Sequence, residues 1–310
     1  MSAPETRILP ADADGIAEAA RLIGAGQPVA VPTETVYGLA ADATNGGAVA
    51  RIYAAKGRPS FNPLIVHVLD LAAAEQIAVF TDRARALAKR YWPGPLTMVL
   101  PLRDDRRVSG LVTAGLETVA LRVPAHPVMR AVLAASGVPL AAPSANASGA
   151  ISPTRAAHVL ASLGGRIPLI LDGGATAHGL ESTIVAVEEE KVRLLRPGPF
   201  NADELGAVID CGTGEIEAPG QLASHYAPAK SLRLNVLHAD PDEWLIGFGP
   251  VAGQVSLSPG RDLLEAAANL FELLHQADRK PFARIAVAPI PENGLGVAIN
   301  DRLRRAAAPR

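Results

Sequence analysis

The sequence predicts an α/β fold with a mixed sheet, followed by a smaller second α/β unit. Short apolar, β-branched segments alternate with helix-like segments along residues 14–210. The segment at 182–198 reads as a hairpin that turns at its glutamates. After a stretch rich in Gly, Pro and Ala, three further strand-like segments alternate with two helical ones. A hairpin combined with strand–helix alternation indicates a mixed sheet rather than a strictly parallel one.

The elements follow from the spacing of the apolar residues. Gly57, with Pro59 just beyond it, predicts the end of a helix, and Ser152 before Pro153 predicts an N-cap at the start of another. Buried strands are predicted by short apolar runs bounded by Gly and Pro. The predicted helices are 14–26, 46–57, 126–136 and 153–163, and the predicted strands lie within 28–42, 63–68, 96–100, 118–124, 138–143 and 167–171.

The chain divides into three parts on composition. Residues 1–210 carry the alternating pattern of the larger unit, and residues 211–230 lack periodicity, which is typical of a linker. Residues 231–310 contain the strand-like segments "SLRLNVL", "EWLIGFG" and "FARIAVAPI" and helical patterns at 261–277 and 295–307. The last 80 residues therefore predict a small second α/β domain, within the normal range of domain sizes.

Composition excludes several classes of protein. The chain has 310 residues, 49% of them apolar, and a formal net charge of -2, so no global basic field indicates nucleic-acid binding. The single cysteine, Cys211, has no partner for an internal disulfide and reads as an ordinary free thiol. With a polar N-terminus and no apolar run long enough for a membrane helix, a cytoplasmic location is expected.

Familiar catalytic motifs are missing. The sequence has no G-x-x-x-x-G-K-[ST], no G-x-G-x-x-G after the first strand and no H-E-x-x-H. A protein-held metal site is therefore not predicted. "SANASG" lacks the first glycine of a nucleophile elbow, so covalent catalysis is not indicated either.

Two cations stand close together in "YAAKGRPSFNPLIVHV". Lys56 and Arg58 follow a predicted helix, and no acidic residue lies between Asp42 and Asp70. Cations at a helix C-terminus interact favourably with its dipole, by about 0.3–1 kcal/mol. This interpretation and an anion-binding role are equally consistent with the stretch taken alone.

A longer span without acids favours anion binding. From Thr118 through Leu171 there is no Asp or Glu, yet Arg122 lies inside the apolar strand "VALRVP". A buried guanidinium needs a carboxylate or phosphate partner. Because the stretch itself contains no acid, a ligand anion is expected at Arg122 rather than an ion pair.

Two polar stretches follow predicted strands. "APSANASG" presents Ser144 and Asn146, which are either ordinary turn residues or ligand donors. "PTETVYGLA" places Thr33, Glu34 and Thr35 directly after a buried strand. Ligands bind at the carboxyl ends of strands in α/β sheets, so these three residues are expected to form a pocket wall.

Taken together, these stretches resemble the YrdC-like threonylcarbamoyl-AMP synthases in their two-domain form. The matching residues are "VPTETVYGLAAD", "KGRPSFNPLIVHV", "VALRVPAHP", "APSANASG" with "SPT" behind it, "ESTIV", "LLRPG" and "PGQLASHYAP", in the family's order over residues 30–230. "AINDRLRRAA" at 298–308 resembles the end of the family's second domain. The resemblance implies a YrdC-like twisted sheet around a deep cavity, with a small C-terminal, Rossmann-like α/β domain.

The resemblance also implies site residues. The threonine site would comprise Thr35, His67, Arg122, Ala142 and Ser182. Ala142 stands where serine occurs in the family, so its contact would be through the backbone. The ATP site would comprise Lys56, Arg58, Asn62, Thr118, Ser144, Asn146, Ser152, Arg196 and Tyr226, with Lys56 and Arg58 stabilising the phosphates and Tyr226 folding over the nucleotide.

The implied reaction joins L-threonine, bicarbonate and ATP into L-threonylcarbamoyladenylate and pyrophosphate, with Mg²⁺ accompanying ATP. The product would serve the machinery that makes N6-threonylcarbamoyladenosine in tRNA, and the resemblance is compatible with a weak tRNA contact. Two alternatives stay open: an RNA-binding module of the same fold without adenylating activity, and a relative that forms a carbamoyl adenylate. Only 4% of residues are aromatic, which counts against the RNA-binding module.

Overall fold

A computed structural model of the chain describes residues 5–105, 107–209, 217–221 and 224–309. Within these residues the strands form one eleven-stranded and one four-stranded sheet. Cys211 and parts of the predicted linker, residues 211–216 and 222–223, lie outside the described residues. The strands of the large sheet are β1 (Arg7–Pro10), β2 (Val29–Val31), β3 (Gly38–Asp42), β4 (Ile65–His67), β5 (Leu96–Pro101), β6 (Thr118–Arg122), β7 (Leu140–Ala141), β8 (Leu169–Asp172), β9 (Thr183–Val187), β10 (Val192–Arg196) and β11 (Ala207–Ile209).

Helices cover the large sheet, and the smaller sheet has two helices of its own. The helices that precede the smaller sheet are α1 (Ala13–Gly24), α2 (Gly46–Lys56), α3 (Leu71–Glu75), α4 (Asp82–Tyr91), α5 (Gly110–Thr113), α6 (Pro127–Ser136) and α7 (Ala156–Leu163). The smaller unit comprises β12 (Ser231–Arg233), β13 (Glu243–Gly247), β14 (Val255–Ser256), α8 (Leu263–Asp278), β15 (Arg284–Val287) and α9 (Leu295–Ala307).

The large sheet is mixed, as predicted. Its order is β1-β8-β2-β3-β7-β4-β6-β5-β9-β10-β11. β4 and β6 run parallel, whereas β3 and β4 both pair with β7 in antiparallel register. The smaller sheet, of order β12-β15-β13-β14, is entirely parallel. The α/β fold class is therefore confirmed for both parts, while the predicted residue bounds of the domains, 1–210, 211–230 and 231–310, stay predictions.

Apolar residues cover both faces of the large sheet because its central strands are buried on both sides. Along β2, Ala30 packs into one core while Val29 and Val31 pack into the other. This alternation is the period-two geometry of a strand. A third core unites α8 and α9 with the smaller sheet. The same core includes Val36 and Leu180 from the larger unit, so the two units share one apolar interface.

Several local predictions can be compared with the structure. The hairpin is confirmed by the antiparallel pairing of β9 with β10. The end of α2 is confirmed by Gly57, which adopts the left-handed conformation at φ 60°. The N-cap prediction for Ser152 is wrong, because α7 begins at Ala156 with Arg155 before it. The Ser152 hydroxyl instead donates to the carboxylate of Glu181.

Six helices and strands were not predicted from the sequence. β1 is an edge strand with largely exposed residues, and α4 fully buries only the small side chains of Ala84 and Ala88. Neither presents the broad apolar stripe on which periodicity depends. The other four, α3, α5, β11 and β14, have too few residues to show a period. Among the described residues, no helix is long and apolar enough to cross a membrane.

A histidine pair lies where α7 meets α8. The rings of His158 and His275 stack with centroids 3.9 Å apart, and His275 Nε2 donates to the Ser152 carbonyl oxygen over 3.1 Å. Arg155 Nε donates to Glu272 over 2.6 Å beside them, and Glu272 lies 3.7 Å from His158 Nε2. Burial lowers the pKa of His158 to about 3 and that of His275 to about 4. Both rings are therefore neutral in the folded protein near pH 7.

Acidification is expected to weaken the fold below about pH 6.5, the ordinary pKa of histidine. The unfolded chain takes up protons there, whereas folded His158 and His275 stay neutral until about pH 3 and 4. Each such group lowers the free energy of unfolding by about 1.4 kcal/mol per pH unit within that window. Urea denaturation at pH 7.5, 6.0 and 5.0 measures this decrease.

The variant His275→Gln should show a shallower decrease, because one neutral buried ring is gone while an amide can still donate to the Ser152 carbonyl. His238→Gln is the matched control, since His238 is exposed on the smaller unit. A decrease of wild-type steepness in His275→Gln would contradict the assignment.

Candidate active site

A cavity lies where the loops at the ends of the central strands meet the segment that leads to the smaller unit. The space between its walls is about 540 Å³, including the part open to solvent. All five residues predicted for the threonine site line it, and so do four of the nine predicted for the ATP site. The lining residues from these predictions are Thr35, His67, Arg122, Ala142, Ser182, Arg58, Ser144, Arg196 and Tyr226.

Strand register brings His67 and Arg122 together. β4 and β6 are parallel neighbours, and His67 pairs directly with Arg122 at their carboxyl ends. Burial, with Arg122 adding repulsion, lowers the pKa of His67 to about 3, so this imidazole is neutral near pH 7. Its Nδ1 has no hydrogen-bond partner among the described residues. The strand ends thus present one neutral ring beside one guanidinium.

Arg122 has an acidic partner, which corrects the prediction of a ligand anion in place of an ion pair. Its Nη2 lies 2.6 Å from Glu34 Oε1. This contact is an ion pair whose geometry does not qualify as a hydrogen bond. Its Nη1 donates to Thr35 Oγ1 over 3.0 Å, and its Nε donates to the Gly94 carbonyl over 3.1 Å. The acid-free span around Arg122 was misleading because Glu34 is 88 residues earlier in the chain.

The pair is held in the charged form. Burial alone would raise the pKa of Glu34, but the positive charge of Arg122 close by and hydrogen bonds from backbone amides outweigh it and lower the pKa to about 2. The Glu34 carboxylate also accepts a hydrogen bond from the His126 amide over 3.3 Å. Glu34 therefore orients Arg122. Thr35, in the same loop after β2, accepts a hydrogen bond from the guanidinium.

Arg58 lies in the cavity wall with backbone and amide oxygens as partners. Its Nη2 donates to Asn62 Oδ1 over 2.6 Å and to the Pro63 carbonyl over 2.8 Å, and its Nε donates to the Asn62 carbonyl over 3.1 Å. Burial lowers its pKa to about 10, so the group stays charged at neutral pH. No carboxylate lies within salt-bridge distance of Arg58 in the described part of the chain.

Arg196, at the end of β10, has a similar environment. Its Nε and Nη2 donate to the Ser182 carbonyl over 3.1 and 2.9 Å, and Nη2 also donates to the Ser182 hydroxyl over 3.1 Å. That hydroxyl is 2.7 Å from Thr97 Oγ1 of the neighbouring strand β5. Burial lowers the pKa of Arg196, and again none of the described carboxylates forms a salt bridge with it. The cavity thus contains two buried guanidinium groups that form no salt bridge with any carboxylate in the part of the chain that the structure describes.

Lys56 lies behind the cavity wall. Its Nζ donates to the Ser144 carbonyl over 2.6 Å and to the Asn146 carbonyl. Burial lowers its pKa well below the usual value, and Arg58 lowers it further. The lysine joins α2 to the loop after β7, so the stretch that carries Lys56 and Arg58 is physically connected to the loop that carries Ser144 and Asn146.

The other predicted ATP-site residues that do not line the cavity have structural contacts nearby. Asn62 accepts hydrogen bonds from Arg58, Asn146 Nδ2 donates to the Ala150 carbonyl over 2.8 Å, and Ser152 contacts Glu181. Thr118 begins β6, four residues before Arg122 and so roughly 13 Å away along the strand.

The segment before the smaller unit covers the cavity. Pro219, Gly220, His225 and Tyr226 all line it, and Arg196 Nη1 donates to the Pro219 carbonyl over 3.4 Å. A Cβ on Gly220, whose φ is +88°, would lie 2.9 Å from the Tyr226 hydroxyl, so only glycine fits there. Tyr226 itself has a φ of +63°, unusual for a residue with a side chain, and its hydroxyl has no partner among the described groups.

Sequence reasoning missed an acid in this wall. Glu181 lines the cavity, although it was not among the residues predicted for either site. Arg302 Nε of α9 donates to Glu181 Oε2 over 2.9 Å, and the Ser152 hydroxyl donates to Oε1. Glu181 stands in the quoted motif "ESTIV", but its partner is 121 residues away, and no local pattern indicates the contact.

Comparison with known proteins gives matches along almost the whole chain. The model of the Sua5/YciO/YrdC family, described as telomere recombination, matches residues 21–198. A model described as the C-terminal domain of threonylcarbamoyl-AMP synthase matches residues 190–308. Together the two models cover every strand of the two sheets except β1.

Curated relatives match over most of their own length. Threonylcarbamoyl-AMP synthase of Bacillus subtilis is 41% identical, covering 95% of this chain and 93% of that protein. The synthase of Pyrococcus abyssi is 40% identical, with 94% of each chain covered.

Solved structures agree. The crystal structure of P. abyssi Sua5 complexed with L-threonine superposes with a TM-score of 0.87 at 37% identity, covering 98% of this chain and 97% of that one. E. coli YciO, at 20% identity and a TM-score of 0.56, shares the fold over 66% of this chain. The chain belongs to the Sua5/YciO/YrdC family, in the two-domain form of its curated threonylcarbamoyl-AMP synthase relatives.

Proposed function

We propose that this chain is a threonylcarbamoyl-AMP synthase, a nucleotidyltransferase that forms L-threonylcarbamoyladenylate and pyrophosphate from L-threonine, bicarbonate and ATP. The observation that carries the proposal is the pair Arg58 and Arg196, two buried cations lining one cavity without a carboxylate partner among the described residues. A triphosphate supplies the negative charge that this cavity lacks. The names of the curated relatives support the same activity.

The threonine site is proposed at the ends of β4 and β6. Arg122 would bind the amino-acid carboxylate, while Thr35, the Ser182 hydroxyl and the backbone at Ala142 enclose the rest. P. abyssi Sua5, in the structure that superposes on this chain, is complexed with L-threonine. A histidine with a pKa of about 3 is a weak base, which favours a hydrogen-bonding role for His67 over proton abstraction from the amine.

Nucleotide binding is proposed on the other wall of the cavity. Arg58, Ser144 and Arg196 would face the phosphates, and the unpartnered hydroxyl of Tyr226 is available to the nucleotide that this residue covers. The chain presents no group of three or more His, Cys, Asp or Glu suited to a metal within its described residues. Mg²⁺ therefore enters the proposal as part of the substrate, MgATP.

The chemistry needs charge neutralisation more than acid–base catalysis. The threonine amine attacks the carbon of bicarbonate, and loss of water gives a carbamate. A carbamate oxygen then attacks the α-phosphorus as pyrophosphate leaves. Two unit anions about 4 Å apart repel by about 1 kcal/mol in water and roughly 4 kcal/mol at an effective dielectric of 20. The guanidinium groups of Arg58, Arg122 and Arg196 offset this repulsion and stabilise the phosphoryl transition state.

Mass spectrometry of the product tests the reaction directly. ATP, L-threonine and ¹³C-bicarbonate should give an adenylate that carries the label, released with one pyrophosphate. If carbamoyl phosphate replaces threonine and bicarbonate as the productive substrate, the carbamoyl-adenylate alternative is correct. RNA binding without threonine-dependent turnover of ATP would favour the binding-module alternative.

Arg58→Gln should reduce pyrophosphate release at least about 100-fold, because one uncompensated cation is lost where phosphoryl charge develops. The amide keeps a polar group near Asn62, so urea denaturation should show a folded protein. Arg90→Gln, a change at an exposed arginine of α4, is the control and should release pyrophosphate at the wild-type rate. Near-normal turnover by Arg58→Gln would contradict the phosphate role.

Lys56→Met should lower stability as well as activity. It leaves the buried carbonyls of Ser144 and Asn146 without their donor, at a cost of about 1–3 kcal/mol each. The midpoint of urea denaturation measures this loss, and Lys89→Met on the exposed face of α4 is the control. A Lys56→Met protein of wild-type stability that lacks activity would instead favour direct contact between Lys56 and the phosphates.

Arg122→Lys should raise the KM for L-threonine at least about tenfold and change the KM for ATP little, since a lysine keeps the charge but loses the fork of donors. Steady-state pyrophosphate release at varied threonine and varied ATP separates the two constants. Arg130→Lys is the control, because Arg130 binds the Leu69 carbonyl at the surface. Equal changes in both KM values would contradict a carboxylate-binding role.

A further inference from the structure

One arginine of the smaller unit is completely buried against the cavity of the larger unit. Arg302 lies in α9, and its side chain has 0% exposure. Asp301 Oδ2 accepts from Arg302 Nη1 over 2.7 Å, which balances the charge within α9. The remaining contacts of Arg302 all reach residues outside its own helix, and each of those residues lies in or beside the cavity wall.

The first of these contacts is with Glu181. Arg302 Nε donates to one carboxylate oxygen over 2.9 Å, and the Ser152 hydroxyl donates to the other. Both oxygens of a cavity-lining carboxylate are thereby engaged, so Glu181 is held away from an anionic ligand. Ser182, which follows Glu181 directly, accepts a hydrogen bond from Arg196. The contact between Arg302 and Glu181 therefore also helps to fix the position of Arg196.

The second and third contacts reach two more pieces of the wall. Arg302 Nη1 donates to the Pro197 carbonyl over 2.9 Å, one residue after Arg196. The guanidinium carbon lies 5.3 Å from the centre of the Tyr226 ring, within the range of a cation–π contact. The planar guanidinium of Arg302 thus contacts Glu181 just before β9, Pro197 just after β10, and Tyr226 in the segment that covers the cavity.

The backbone around these contacts is packed too closely to rearrange freely. A Cβ on Gly179, whose φ is +66°, would lie 2.5 Å from the Ala267 carbonyl oxygen of α8. Tyr226 and Leu180 belong to the same apolar core as α8 and α9. The smaller unit therefore packs against Gly179 and Leu180, just before Glu181, and against Tyr226.

We propose that Arg302 is a positioning residue for the nucleotide half of the site, through which the C-terminal unit holds Glu181, Arg196 and Tyr226 in place. This rests on the proposed function for its substrate, ATP. Arg122 and His67, at the ends of β4 and β6, make no contact with Arg302 in the described part of the chain, and the threonine half shares only Ser182 with the residues that Arg302 holds, so the effect falls mainly on the nucleotide.

The test compares Arg302→Lys with Arg304→Lys. Lysine keeps a cation for Glu181 but has no planar fork to join Pro197 and stack on Tyr226. Arg304 lies on the exposed side of the same helix and pairs with exposed Glu292, so it is the matched control. The dissociation constant for ATP, measured by calorimetry, is independent of turnover, and urea denaturation monitors folding.

Arg302→Lys should bind ATP at least tenfold more weakly and show a raised KM for ATP, with the KM for L-threonine changed less than threefold. Arg302→Ala should bind ATP more weakly still. Unchanged ATP affinity in a folded Arg302→Lys protein overturns the positioning role, as does weakening of both substrates to the same extent. A wild-type protein that binds ATP but makes no threonylcarbamoyl adenylate contradicts the proposed function, while the calorimetric comparison still decides the role of Arg302.

Discussion

The structure around the cavity depends on one constraint: buried cations must be bound by oxygens that do not neutralise them. Arg58 and Arg196 donate to backbone carbonyls and to neutral side chains, so each keeps a full charge to offer a ligand. Carbonyls can serve in this way because Asn62, Pro63 and Ser182 lie just before β4 and β9, outside the paired residues of those strands, where their oxygens can accept from side chains. A carboxylate partner would have stabilised the empty site and competed with an anionic substrate.

Carboxylates are present nearby, but each is committed to another arginine. Glu34 pairs with Arg122, and Glu181 pairs with Arg302. The first pair orients the guanidinium that is proposed to bind the amino-acid carboxylate. The second pair connects the smaller unit to the cavity wall. Breaking either pair would leave a buried charge uncompensated, which typically costs 3–5 kcal/mol. Stability and substrate recognition are therefore linked through the same few side chains.

Much of the fold was predictable, because the spacing of apolar residues and the residues that end helices determine where most helices and strands lie. The hairpin at β9 and β10, the end of α2 at Gly57 and the second α/β unit all follow from short-range patterns. Nine of the eighteen residues that line the cavity were predicted for the two sites, through the motifs of the family. Partners distant in sequence were not: Glu34 for Arg122, and Arg302 for Glu181, meet only through sheet order and domain packing. Lys56 appeared equivalent to Arg58, since sequence spacing does not reveal which cation faces the cavity and which binds the loop behind it.

The central claim is that Arg58 and Arg196, the guanidinium groups without a carboxylate partner among the described residues, receive the phosphates, and that Arg122, paired with Glu34, receives the threonine carboxylate. A crystal structure with L-threonine and a non-hydrolysable MgATP analogue tests it most directly. The claim predicts phosphate oxygens within hydrogen-bond distance of Arg58 and Arg196, and the threonine carboxylate on Arg122 with Glu34 still beside it. Phosphates bound outside this cavity, with both arginines keeping only their carbonyl partners, would contradict it.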